Sequence, residues 1–434
     1  MKITGGKWSN WSGGVTSKPR AVVAPKDEVD LAQAVRKAVA PVRVPGTGHS
    51  FTPVAASDGT LIDLSAFTGF KGMDPERQVA TLAAATPLWE AGPLLCRAGY
   101  GFKNMGDIDR QTLGGVVGTG THGTGPTLKS FSGDVAGFRI VLANGDVIDC
   151  SETENAEVFA AGRCSLGMLG VMTEISMFVR PAYKLVEKNF LMPPDALFAQ
   201  LDTLVNSNRH FEFFWFPYAD ICVCKSLNET DADAPAPRSA EQMYARGEAG
   251  TSDQRAFATI NEVLPYTPFL LGPAHRLFSQ LMPGAGKVRW SHEIFPSPRT
   301  TRFNEMEYAV PYAKGPDCIR EIVAKIRKDR INTGFPIEFR SVAADDVWLS
   351  PFYQRPSATI AVHQYHRVDT AKLFSACEAI FRAYEGRPHW GKRHTRTAAE
   401  VESLYPQYGA FRAVRRNLDP KGTFLNPHLA AIFT

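Results

Sequence analysis

No stretch of the 434 residues approaches the ~20 consecutive apolar positions that a membrane-spanning helix needs, so no membrane span is expected. The N-terminal MKITGGKWSNWSGG lacks an apolar segment, so no secretory signal is expected either. Without one, Asn228-Glu229-Thr230 matches a glycosylation acceptor by chance. Cysteine is sparse: Cys96, Cys150, Cys164, Cys222, Cys224, Cys318 and Cys377 form no CxxC pair. Cys222 and Cys224 project to the same face of a strand-like run, where a bridge would be strained. The pattern argues against zinc and against a disulfide framework; no metal is expected, and a reducing cytoplasm is the expected compartment. An excess of one charge is also missing. Forty-eight Lys and Arg against 44 Asp and Glu leave +4, with no basic cluster. Nucleic acid is a poor partner for such a chain, whereas a small polar or anionic ligand is compatible with it.

What is present is an ordinary globular composition, 44% apolar and 21% charged, in a chain long enough for two or three domains. RAVVAP (20–25), VRVPG, GTLIDLSAF and QVATLAAAT read as strands. KDEVDLAQAVRKAVA (26–40) reads as a helix with acids near its start, and PLWEAGPLLCRAGYGF as a helix stopped by Gly99. FRIVLANGDVIDCS (138–151) is a hairpin turning at Asn144-Gly145, and GVMTEISMFVRPAY a strand ending at Pro181. Beyond Pro181 aromatics become dense. HFEFFWFPYADICVCK (210–225) reads as a strand on a buried sheet, and the polar stretch 228–254 as a surface insertion or lid. IAVHQYHRV (360–368) is a further strand, and DTAKLFSACEAIFRAYEG (369–386) an amphipathic helix closed by glycine. The chain is read as α+β with two domains divided near Pro181.

Two glycine-rich segments carry the chemistry. The first, VRVPGTGHSF, puts Gly46-Thr47-Gly48 directly before His49; the second is NMGDIDRQTLGGVVGTGTHGTG (104–125). Gly118-x-Gly120-x-x-Gly123 formally matches a dinucleotide fingerprint, but no helix evidently follows it, and the βαβ unit and its later acid cannot be placed. The Rossmann reading, and with it a nicotinamide dehydrogenase, is rejected. Each segment alone reads as a tight turn or as a place where backbone N–H groups approach a ligand. Together, two Gly-Thr-Gly loops can hold both phosphates of a dinucleotide. His49 is a packing histidine, a metal ligand without a neighbouring partner, or a neutral imidazole nucleophile able to bond a cofactor.

VPGTGHSF and TLGGVVGTGTHGTG resemble the FAD-binding segments of vanillyl-alcohol-oxidase-type (PCMH) flavoproteins. Within them the chain is most similar to the sugar-1,4-lactone oxidases and the related alditol oxidases. The similarity extends over nearly the whole chain and is weakest over 228–300. It implies FAD attached covalently through His49. It also implies cofactor contacts from Pro45, Gly46, Thr47, Gly48 and Ser50. Gly106, Asp107, Thr112, Gly115, Thr119, Gly120, Thr121 and His122 are implied likewise, with Gly170, Val171 and Asn426. The implied architecture is an FAD domain, 1–180, completed by 406–434, and an antiparallel-sheet cap, 181–405.

On the substrate side, Glu338-x-Arg340 puts a carboxylate and a guanidinium on one face of a strand. By itself such a pair is more often an exposed salt bridge. The resemblance places it at the flavin, contacting substrate. RPHWGKRHT (387–395) resembles the H-W-x-K segment of the same enzymes, which sets Lys392 by the flavin, and His363 is a candidate proton acceptor. Tyr365 and Asp107 are pocket residues by the same comparison; alditol oxidases carry threonine and serine there. Oxygen-resistant lactone dehydrogenases hold alanine where this chain has Gly106. The expected reaction is oxidation of a sugar-1,4-lactone of the gulono-, galactono- or arabinono- type, with hydride passing to flavin N5 and O2 giving H2O2. Oxidation of an alditol at C1 is the alternative. A sugar-binding protein without catalysis would require the absence of flavin.

Overall fold

The computed structural model describes residues 3–249, 252–281, 286–299 and 301–434. Its first half is organised by the strand Val171–Pro181, whose side chains alternate between buried and half-buried as far as Arg180. This period of two makes it the centre of a six-stranded antiparallel sheet. Val135–Val141 and then Val147–Ser151 lie on one side of it, Val79–Ala83 and then Phe70–Asp74 on the other, and Tyr100–Phe102 pairs with its far end. The Asn144-Gly145 turn joins its strands as expected, with Gly145 at φ +82°, a conformation that glycine adopts without strain. A three-stranded parallel sheet of Ala21–Val23, Thr60–Ile62 and Val42–Arg43 adjoins it. Beside it stands the helix Glu28–Lys37, capped by the Asp27 side chain and burying Leu31, Ala32 and Val35.

The second half forms one eight-stranded sheet. Its order is Val288–Trp290, Lys184–Met192, Ile221–Glu229, His210–Phe216, Ile337–Val342, Ser357–Tyr365, Phe303–Pro311 and Arg387–Pro388, every pair antiparallel. Alternation gives its two faces opposite chemistry. Phe211, Phe213, Trp215, Ile337, Phe339, Ile360 and Tyr308 join the helices Gly315–Lys328 and Ala371–Ala383 in an apolar core. The intervening positions carry Glu212, Glu338, Arg340, Glu305 and Glu307, which are buried as well. A charged face can be buried only if its charges are paired, and that requirement defines the site.

Three local expectations change. HFEFFWFPYADICVCK is a hairpin rather than one strand: His210–Phe216 turns through Pro217–Asp220 into Ile221–Glu229. Part of the second glycine segment is helical, Leu113–Thr119, with the Thr112 hydroxyl accepting from the Gly115 N–H at 3.3 Å. The formal fingerprint therefore spans this helix's C-terminal end, where Gly120 at φ +72° closes it. The stretch 228–254 is not a free insertion: its helix Ala240–Ala249 packs on the helix Leu88–Arg97, with Arg110 donating to the Met243 carbonyl at 2.8 Å. Residues 250 and 251 of that stretch lie outside the described residues.

The C-terminal tail returns to the first half. Phe433 packs on Trp390, Tyr408 and Phe411. The Val42 N–H donates to the Thr423 carbonyl at 2.8 Å. Among the described residues, no helix is long and apolar enough to cross a membrane.

Candidate active site

The two glycine segments face each other across a cavity of about 390 Å³. Pro45, Gly46, Thr47 and Ser50 line one wall, Thr112, Gly115 and Thr119 another, and Gly170 with Val171 a third. Gly46 is required sterically, since a Cβ there would lie 2.5 Å from the Thr112 hydroxyl. Gly118 opens on free space, and Ala84, Leu64 and Phe424 add apolar wall. Arg43 is taken up by protein carbonyls, donating to Phe424 at 2.7 Å and to Gly167 at 3.1 Å. The remaining donors are chiefly neutral hydroxyls and backbone N–H groups beside apolar surface. That set fits a dinucleotide whose pyrophosphate is held by backbone and whose ring system is packed by side chains.

Not every residue implied for the cofactor reaches this cavity. Asn426 does not: its amide donates to the Pro53 and Ala56 carbonyls, each at 2.8 Å, and its oxygen accepts from Leu429 at 3.0 Å. Both its N–H groups tie the last helix to the segment after His49, and its oxygen caps that helix. Gly48, Gly106, Gly120, Thr121 and His122 do not line the cavity either. A methyl at Gly106 would meet the His122 carbonyl at 3.1 Å, so this glycine is already explained by close approach of two loops.

His49 is not among the residues that line this cavity or a second one. Its ring stacks on Trp11 with centroids 5.4 Å apart. The next residue but one, Phe51, donates its N–H to the Gly391 carbonyl at 2.6 Å, which locks the histidine loop to the loop carrying Lys392. Burial, then the charges of Lys392 and Arg110, push the His49 ring down to about 4, so it is neutral at ordinary pH.

The second cavity, also about 390 Å³, lies over the charged face of the larger sheet. Glu338, Arg340, His363, Lys392 and Asp107 all line it. Register explains the convergence. Arg340 stands opposite Glu212, and Glu305 opposite His363, on paired strands. The Arg340 guanidinium contacts Glu338, donates from Nε to Glu212 at 2.7 Å, and lies 3.4 Å from Asp107. Arg299 contacts the same Asp107 oxygen, Oδ2, and the Lys225 ammonium lies 3.3 Å from Glu212. Lys392 pairs with Glu305, whose other oxygen is 3.5 Å from His363 Nε2.

Three carboxylates thus share one guanidinium, and their fates differ. Burial raises Asp107, but Arg299 and Arg340 override it and hold that carboxyl below its ordinary range. Burial also opposes Glu212, which Arg340 and Lys225 bring below its ordinary value. Glu338 shares only Arg340, and burial pushes it up to about 7. Against burial, Lys392 and then His363 bring Glu305 down to about 2. Lys392, lowered by burial but raised more by Glu305 and Glu307, stays charged.

Beneath Lys392, His122, Glu307 and His389 bring ligand-type atoms within 4.8 Å of one another. These groups already have protein contacts. His122 Nδ1 donates to the Gly123 carbonyl at 2.8 Å, its Nε2 lies 3.0 Å from Glu307, and His389 Nδ1 accepts from the Gly391 N–H at 3.0 Å. We read the cluster as a buried polar network rather than a metal ligand set.

Sequence reasoning missed Glu212, Lys225, Arg299, Glu305 and Glu307. A visible signal existed for the glutamates: a lone acid inside HFEFFWF, and two at alternate positions in FNEMEYAV. Tyr365 does not line the second cavity. Its hydroxyl bonds Glu262, and its ring packs with Phe51, Phe303 and Phe335 behind the wall.

A family model described as D-arabinono-1,4-lactone oxidase matches residues 175–432, and an FAD-binding-domain model matches residues 19–151. The chain is 35% identical to an L-gulono-1,4-lactone dehydrogenase of Mycobacterium tuberculosis over 424 residues, 97% of each chain. It is 29% identical to the L-gulonolactone oxidase of Mus musculus, covering 99% of this chain and 98% of that one. The fold is that of cholesterol oxidase from B. sterolicum, with a TM-score of 0.83 at 16% identity over 99% of this chain and 97% of that one. The chain belongs to the D-arabinono-1,4-lactone oxidase family.

Proposed function

We propose that this chain is an FAD-dependent oxidase that holds the cofactor in the Gly46–Thr112 cavity and oxidises a CH–OH group of a sugar-1,4-lactone in the adjoining charged cavity. The observation that carries the reading is the convergence of Glu338, Arg340, His363 and Lys392 on one cavity beside a glycine cradle. Residues 1–180 with 406–434 form the cofactor domain in this account, and 181–405 the cap. Seven cysteines without a disulfide are compatible with a cytoplasmic protein.

The cavity lining holds five carboxyls, Asp107, Glu187, Glu212, Glu305 and Glu338, against four cations, Lys225, Arg299, Arg340 and Lys392. With Glu338 raised to about 7, the two sets nearly cancel at neutral pH, which suits an uncharged polyhydroxylated ligand. Arg340, clamped through Nε and Nη2 by its carboxylates, has Nη1 left to donate to the ligand's oxygens. Glu338 accepts or donates a hydrogen bond to a hydroxyl, and Phe214, Phe257 and Phe335 exclude water. The bound flavin supplies the two-electron acceptor. Lys392 offers a permanent positive charge where negative charge develops during reduction. His49, neutral, is in the form that can bond the cofactor covalently. Oxygen is the proposed final acceptor, on the likeness to the L-gulonolactone oxidase of Mus musculus.

The test is a substrate panel. Purified holoenzyme is given gulono-, galactono- and arabinono-1,4-lactones, xylitol and sorbitol, with peroxide formation and dye reduction read in parallel. Lactone turnover with peroxide is expected. Turnover of alditols alone would overturn the substrate, and dye reduction without peroxide would overturn oxygen as acceptor.

A further inference from the structure

We propose that the second cavity takes a sugar lactone bearing an apolar chain, an alkyl or acyl group on its terminal hydroxyl, with the chain laid along the aromatic end of the cavity. The proposal rests on the lactone-oxidation reading and adds to it the class of substrate.

Two paired strands draw a boundary across the cavity. Along His210–Phe216 the face turned to it carries Glu212, then Phe214 and Phe216. Along Ile221–Glu229 the same face carries Lys225, then Val223. Register sets Glu212 opposite Lys225 and Phe214 opposite Val223, so both strands change from charged to apolar at the same row. The helix Leu271–Leu281 packs on both strands, and the helix Ser252–Val263 packs on that helix. Phe278 joins Phe216 and Val223 in one apolar cluster, and the Phe257 ring lies 4.6 Å from that of Phe278. Leu281 lines the cavity while 45% exposed, which puts it where the cavity meets solvent.

This apolar end lies across the sheet from the charge proposed to serve the flavin. Lys392 pairs with Glu305 on the strand Phe303–Pro311. Between that strand and His210–Phe216 stand Ile337–Val342 and Ser357–Tyr365, which sets Phe214 and Phe216 roughly 14 Å further across the sheet. Arg340 and Glu338 lie on the way, on Ile337–Val342. A lactone ring held by them has the aromatic end beyond it. A hydroxyl laid against Phe214, Val223 and Phe278 would leave water without gaining a partner, whereas a hydrocarbon chain gains from the same wall.

The test compares L-gulono-1,4-lactone with its 6-O-hexanoyl ester on the wild-type holoenzyme. Each methylene moved from water to an apolar wall is worth about fourfold, so the ester should have a kcat/KM at least about tenfold higher. An ester no better than the bare lactone overturns the proposal and leaves the aromatic residues to exclude water. Leu281→Asn and Phe257→Ser, on different helices, should each lower the ester-to-lactone ratio by about threefold or more. A ratio unchanged in both variants also overturns the proposal. Leu281 is exposed, so its variant keeps the test decisive if Phe257→Ser misfolds. Calorimetry with the 2-deoxy forms of both compounds, which lack the hydroxyl to be oxidised, reads binding apart from turnover. If no lactone is oxidised, the oxidation reading fails by itself. Binding of the 2-deoxy ester about tenfold tighter than that of the 2-deoxy lactone then still supports the apolar subsite, and equal binding overturns it.

Discussion

Replacing Glu338 by glutamine should make the protein relatively more stable as pH rises. Arg340 touches Asp107, Glu212 and Glu338 at once, but Asp107 also has Arg299 and Glu212 also has Lys225. Glu338 has the weakest claim, and burial pushes it up to about 7 from an ordinary 4.5. A difference of ~2.5 units corresponds to about 3 kcal/mol. The sign follows from proton binding. The folded state holds this proton more tightly than the unfolded chain, so the contribution of Glu338 is complete below about pH 4.5 and is lost as pH rises through about 7. Glutamine has nothing to titrate there. The stability of Glu338→Gln minus that of wild type should therefore increase by about 3 kcal/mol across that window. Urea unfolding of both proteins from about pH 5 to about pH 8, followed by tryptophan fluorescence, measures the difference. A difference constant to within ~0.5 kcal/mol would refute the claim that Glu338 is the carboxyl left short of charge.

Three further outcomes are expected. Lys392→Met should lower kcat by ~10²–10³-fold and make the bound flavin harder to reduce, read by potentiometry; an unchanged potential contradicts the role given to that ammonium. His49→Ala should abolish flavin fluorescence from the acid-denatured protein band, and fluorescence that persists means another attachment or none through His49. Asn426→Ala removes a helix cap and leaves the Pro53 and Ala56 carbonyls without their donor, so it should cost about 2 kcal/mol of stability while the folded fraction keeps its kcat. Loss of kcat without loss of stability would return Asn426 to the cofactor site.

The parts of the site legible in the sequence were those carried by short local patterns. Gly46-Thr47-Gly48-His49 and Glu338-x-Arg340 each state their geometry within a few residues. The partners of Arg340 were not legible, because Glu212 lies 128 residues away and is brought over by strand register. Glu305 and Glu307 were hidden in the same way, although acids at alternate positions of an apolar strand mark a face that must find cations. Local propensity misled at two places. Leu113–Thr119 holds three glycines and reads as a loop, yet Leu113, Val116 and Val117 bury a helical face that overrides their cost. The Pro217–Asp220 turn has no glycine, and Asp220 takes the positive φ of 51° that would have signalled it. Asn426 was assigned by likeness of the tail, and only the hydrogen bonds of its amide reveal a cap.

The central claim is that Lys392, Arg340 and Glu338 present a sugar lactone to bound FAD, and its most direct test is anaerobic. Holoenzyme is mixed with a gulono- or arabinono-1,4-lactone in the absence of oxygen, and the flavin absorbance is followed. Complete bleaching is expected, then recovery with one equivalent of peroxide when oxygen is admitted. Flavin that stays oxidised with every lactone offered would contradict it.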